Sequence, residues 1–107
     1  MTNSDFLEIA EETLQNIANA IEEADSSFDL DVDATGDSLS IDFPDGSKYL
    51  ITIHASSKEI WISSPLSGGT HFSYDDDEGT WKDSSENDML ELVTEELEEL
   101  GGVSIRL

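Results

Sequence analysis

Cysteine is absent from this 107-residue chain. Disulfides, thiolate metal centres, cysteine nucleophiles and sulfur ligation of a cluster are therefore excluded. Basic residues are nearly as scarce, with four Lys and Arg against 26 Asp and Glu and a formal net charge of −22. A surface of that sign repels nucleic acid phosphates and anionic lipid, so neither nucleic acid nor membrane is expected as a partner. Cations and basic protein patches are. No apolar run approaches the roughly 20 residues of a bilayer-spanning helix. The opening residues Met1-Thr2-Asn3-Ser4-Asp5 carry neither the basic region nor the apolar run of a secretion signal. A soluble, cytoplasmic protein is expected. Enzyme signatures are missing too. His54 and His71 stand far apart without a convincing serine partner. Gly68-Gly69 lacks the helix and basic residue that a phosphate loop requires. A non-catalytic protein follows, with both histidines as ordinary surface residues.

Roughly a quarter of the chain is Leu, Ile, Val or Phe, above the range of disordered chains. Those residues recur with regular periods. Phe6, Ile9, Ala10, Leu14, Ile17 and Ile21 fall at three- and four-residue steps and predict a helix, capped by Ser4 and ending near Glu23–Ser26. Period two follows. Phe28-Asp29-Leu30-Asp31-Val32-Asp33 predicts a strand with alternate aspartates in water, and Ala34-Thr35-Gly36-Asp37 a turn. Further strands are predicted over Leu39–Phe43, Lys48–His54, Glu59–Ser63, Thr70–Tyr74 and Thr80–Lys82, with Pro44-Asp45-Gly46 a strong turn. Met89, Leu90, Val93, Leu97 and Leu100 mark a second helix, with Ser85 and Asp88 as a capping box and Gly101-Gly102 as its end. Its glutamates, Glu96 among them, are expected largely in solvent. The tail Val103–Leu107 should pack back on the domain. Helix, strands, helix in that order predict one domain over 1–107, an α+β two-layer sandwich with both helices on one face of an antiparallel sheet.

Three features could carry chemistry. Glu22, Glu23 and Asp25 close the first helix, and Asp29, Asp31 and Asp33 line the outward side of the first strand. Oxygen-only ligands favour hard cations such as Ca²⁺, Mg²⁺, Mn²⁺ and Fe³⁺, held weakly and superficially. The competing reading is a solvated face that guards the sheet edge. Asp29-x-Asp31-x-Asp33 is not an EF-hand, because Ala34 and Ser40 occupy the positions of its glycine and bidentate glutamate. Trp61 lies on the opposite strand parity to Ile60 and Ile62, so it should face out as a partner-binding anchor, whereas Trp81 should be core. Asp75–Glu78 reads as a hydrated turn.

The stretch Ile60-Trp61-Ile62-Ser63-Ser64-Pro65-Leu66-Ser67-Gly68-Gly69, then His71-Phe72-Ser73-Tyr74 and Thr80-Trp81, resembles the signature of the frataxins. Asp45-Gly46-Ser47-Lys48-Tyr49, the acidic first strand and the helical stripe match bacterial members, and the resemblance spans essentially the whole chain. It implies binding of ferrous and ferric iron by Glu22, Glu23, Asp25, Asp29, Asp31 and Asp33. It also implies docking on cysteine desulfurase and the iron–sulfur scaffold protein through Trp61, Glu22, Asp29 and Asp31, as a regulator of cluster assembly. A monomer is expected, with iron-dependent oligomers as the exception. Thr52 and His54 replace the family's usual Asn and Gln, and Ser73 a common Asp. The resemblance also raises a second function, an iron-storing ferroxidase, although the Glu and His at helical spacing of an enclosed di-iron site are not visible in the sequence. The composition fits a third, an acidic decoy for a basic protein.

Overall fold

Apolar side chains on one side of the N-terminal segment wind it into α1, Asn3–Ala24, with Phe6, Ala10, Leu14, Ile17, Ala18 and Ile21 buried. Ile9 lies half-buried at the margin of that stripe. Thr2 caps the helix, not Ser4: its Oγ1 accepts the Asp5 N–H at 3.1 Å, and Ser4 already lies inside the first turn. The computed structural model describes residues 2–24, 30–35, 37–102 and 105. Phe28 and Asp29 of the expected first strand, Gly36 of its turn, and Val103, Ser104, Arg106 and Leu107 of the tail lie outside that set.

Six strands follow: β1 (Asp31–Ala34), β2 (Ser38–Asp42), β3 (Lys48–His54), β4 (Glu59–Ser64), β5 (Gly68–Asp75) and β6 (Thr80–Lys82), then α2 (Met89–Gly101). Each strand pairs antiparallel with the next, giving the sheet order β1-β2-β3-β4-β5-β6. The register sets Leu39 opposite Ile51, Ile51 opposite Ile62, Ile53 opposite Ile60 and Ile60 opposite Phe72. All of these share one face and one buried cluster with the inner sides of α1 and α2. Among the described residues, no helix lies on the other face. None of the helices among the described residues is long and apolar enough to cross a membrane.

β5 starts at Gly68 rather than Thr70. Its ladder with β4 continues through Ser63–Gly69 and Ser64–Gly68, so pairing prevails over the low strand propensity of glycine. Asp88, not Ser85, caps α2, accepting the N–H groups of Leu90 at 2.8 Å and Glu91 at 3.4 Å. Gly102 ends it in the left-handed region, φ 65°, donating to the Glu98 carbonyl at 2.9 Å. Ile105 of the tail is buried.

One α2 glutamate is not in solvent. Glu96 is 5 % exposed, accepting from the Tyr49 hydroxyl at Oε1 and the Ser64 hydroxyl at Oε2, both at 2.9 Å. Ser64 Oγ in turn accepts the N–H groups of Leu66 (3.0 Å) and Ser67 (3.4 Å). The Ser64-Pro65-Leu66-Ser67-Gly68 turn is thereby fastened to α2 through one carboxylate. Burial, first, and the negative Glu96 beside it hold the Tyr49 hydroxyl protonated well above the usual tyrosine range.

Candidate docking face and acidic strip

Glu22 and Glu23 are exposed on the last turn of α1, and Asp31 and Asp33 are exposed on β1, an edge of the sheet. Period-two alternation sends both aspartates to the face away from the helices. Asp31 stands opposite Asp42 in register, and Asp42 reaches Lys48 at 3.6 Å. Asp25 and Asp29 lie outside the described residues. Among the described residues no three Asp, Glu or His side chains converge into a group that could enclose a metal ion. The described acids of the strip are therefore open, water-facing carboxylates.

Trp61 points out, as its parity requires: it is 44 % exposed, while Ile60 and Ile62 are buried and Trp81 is 2 % exposed in the core. In cross-strand order its row runs Ser38, Thr52, Trp61, His71. The next row runs His54, Glu59, Ser73, Lys82. Beside the indole is a shallow depression of about 370 Å³, walled by Leu50, Thr52, Ser63 and Thr70. Gly69, opposite Ser63 with open space where a side chain would stand, keeps it from being filled. The chain has 26 Asp and Glu, yet none of the described ones lines the depression. A second exposed apolar side chain, Leu66, sits on the adjoining turn at 46 %.

The histidines are not isolated surface residues. His54 stacks on the Trp61 indole with ring centroids 4.0 Å apart and planes at 14°, and His71 lies on the same indole at 5.9 Å and 37°. Glu59 Oε2 is 2.9 Å from His71 Nδ1. Separation in sequence concealed this cluster; only the register of β3, β4 and β5 assembles it, and matching parities on three consecutive strands are the signal that reveals it. The Asp75–Glu78 turn has its own cation: Lys82 contacts Glu78 directly and Asp75 at 3.9 Å. The Glu78 contact raises the Lys82 ammonium above its ordinary range. Asp83 is held below the usual carboxylate range, first by the Asn87 side-chain amide and then by the Asn87 and Ser85 N–H groups.

The frataxin-like domain family matches residues 1–103. Iron–sulfur cluster assembly protein CyaY of Shewanella baltica is 35% identical over 108 residues, covering 98% of this chain and 96% of that protein. A frataxin from Psychromonas ingrahamii superposes with a TM-score of 0.85 at 25% identity, covering 98% of this chain and 96% of that one. Trimeric frataxin from Saccharomyces cerevisiae, in a ferrous complex, shares the fold with a TM-score of 0.75 at 24% identity, covering 88% of this chain and 86% of that one. With the acidic strip, the outward tryptophan and the α+β sandwich already in place, the whole-length match leaves one conclusion: the chain belongs to the frataxin family.

Proposed function

We propose that this protein binds iron and regulates iron–sulfur cluster assembly through two adjoining surfaces. The acidic strip of Glu22, Glu23, Asp25, Asp29, Asp31 and Asp33 meets a basic patch on cysteine desulfurase, and the face around Trp61 docks the scaffold protein. The observation that carries this reading is the segregation of charge: an extremely acidic chain keeps its exposed tryptophan in a depression that none of the described carboxylates lines. Exposed aromatic residues on an apolar patch rimmed by charge are the anchors of protein interfaces. The names of the bacterial relatives support the pathway.

Iron is cargo here. The donors are carboxylate oxygens, which suit Fe³⁺ and hard divalent cations, and water completes the shell of an ion on so open a surface. An ion at the strip neutralises the charges that would meet the desulfurase, so iron loading and docking compete for the same oxygens. The protein acts by binding and not by catalysis.

Trp61→Ala tests the division of labour. Scaffold affinity should fall at least tenfold, as expected of a central aromatic anchor, while binding of Fe²⁺, followed by calorimetry under anaerobic conditions, stays as in the wild type. Equal scaffold affinity in the two proteins would remove the open face from the mechanism.

A further inference from the structure

His54 and His71 hold the Trp61 indole between them, one stacked flat and one tilted. Glu59 completes the cluster, standing opposite His54 in register and 2.9 Å from His71 Nδ1. Among the described residues, these imidazoles are the only ionisable groups lining the depression. Imidazole is the side chain that ordinarily changes charge between pH 5 and 8.

Other charges surround the cluster. From β4, Glu59 faces both histidines. His71 also lines a trough of about 680 Å³ with Asp75, Lys82 and Asp83. Lys82 is engaged by Glu78 and Asp75 and leaves Glu59 to the histidines. The same trough carries Asp76, Asp77 and Glu86. Across the sheet, Asp42, Asp31 and Asp33 rim the other side of the open face.

Resting on the docking role proposed above, we infer that uptake of the partner on this face is gated by protons through His54 and His71. The occupant that fits is a segment with an apolar side chain for the depression and basic residues flanking it, to meet Glu59 on one side and the aspartates of β1 and β2 on the other. With neutral imidazoles the floor is uncharged and the rim negative. Protonated His71 pairs with Glu59 and cancels that part of the rim. Protonated His54 keeps its place on the indole as a cation–π contact, setting a positive charge where the apolar side chain must seat and where basic neighbours are repelled. Acid therefore releases the partner.

Two measurements test this. In the free protein, Trp61 emission (wild type minus Trp61→Phe, since Trp81 also emits) should be lower at about pH 5.5 than at about pH 8, because a stacked imidazolium quenches indole. The fall should vanish in His54→Gln. A flat wild-type curve overturns the gate whatever any partner does. In the complex, affinity for purified scaffold protein should be about tenfold lower at pH 5.5 than at pH 8. That ratio should collapse to within about twofold in the His54→Gln/His71→Gln double variant, whatever its absolute affinity. The same ratio in the double variant as in the wild type assigns the pH dependence to the partner and overturns the gate alone. No association at any pH overturns the docking role, and the gate with it.

Discussion

Glu96→Ala isolates the buried link between α2 and the β4–β5 turn. The substitution removes a carboxylate that is 5 % exposed and strands two hydroxyl donors, Tyr49 and Ser64, each 2.9 Å from it. A hydrogen bond to a charged acceptor contributes about 1.5–3 kcal/mol, and a stranded buried hydroxyl loses about 1–3 kcal/mol. The carboxylate's own desolvation penalty offsets part of that sum. We expect a net loss of about 3 kcal/mol, equivalent to a fall in Tm of about 12 °C for a domain of this size. Removing one negative charge from a chain at −22 also relieves general repulsion. Glu95→Ala is the matched control, deleting the same charge from an exposed neighbouring position. Urea denaturation of both variants gives the difference. If Glu96→Ala is no less stable than Glu95→Ala, the carboxylate is not a structural link, and the account of the Ser64-Pro65-Leu66-Ser67-Gly68 turn is wrong. A triple variant, Glu96→Leu with Tyr49→Phe and Ser64→Ala, should recover part of the loss, because no hydroxyl donor is left stranded, while the Leu66 and Ser67 N–H groups still lose their Ser64 acceptor.

Two further outcomes follow from the same geometry. The Tyr49 hydroxyl binds its proton more tightly folded than unfolded, so its contribution is complete below about pH 10 and is lost as pH rises beyond that value. Wild type should accordingly lose stability above pH 10 more steeply than Tyr49→Phe, by about 1.4 kcal/mol per pH unit; parallel slopes in urea titrations would contradict the assignment. A Cβ at Gly101 would come within 2.9 Å of Phe43 Cε1 and 3.2 Å of Leu30 Cδ2. Overpacking of about 1–3 kcal/mol outweighs the roughly 1 kcal/mol of helix propensity gained, so Gly101→Ala should lower the urea midpoint, and a raised midpoint would show that the Phe43 ring moves freely.

The elements were legible because their signals are local. A three-to-four residue stripe specifies α1 and α2, and alternation specifies the strands, so β3 and β6 have the predicted limits. Parity alone turned Trp61 outward and Trp81 inward, since a strand can bury only one of its two faces. What stayed hidden depends on register. Glu96 reads as one more solvent glutamate until the sheet carries Tyr49 and Ser64 beneath α2. His54 and His71 are uninformative until β3 and β5 bring them to either side of β4. Capping shifted by a few residues, to Thr2 and Asp88, because several hydroxyl and carboxylate side chains crowd each helix start. Of the six acidic positions assigned to the strip, Glu22, Glu23, Asp31 and Asp33 are exposed.

The most direct test of the account is a titration of cysteine desulfurase at constant ionic strength with the wild type and with a variant carrying Glu22→Gln, Glu23→Gln, Asp29→Asn and Asp31→Asn. Four neutralised contacts to a basic patch should weaken the complex by about tenfold or more, and Fe²⁺ should weaken the wild-type complex while leaving that of the variant unchanged. Indistinguishable affinities for the two proteins would contradict the role of the strip.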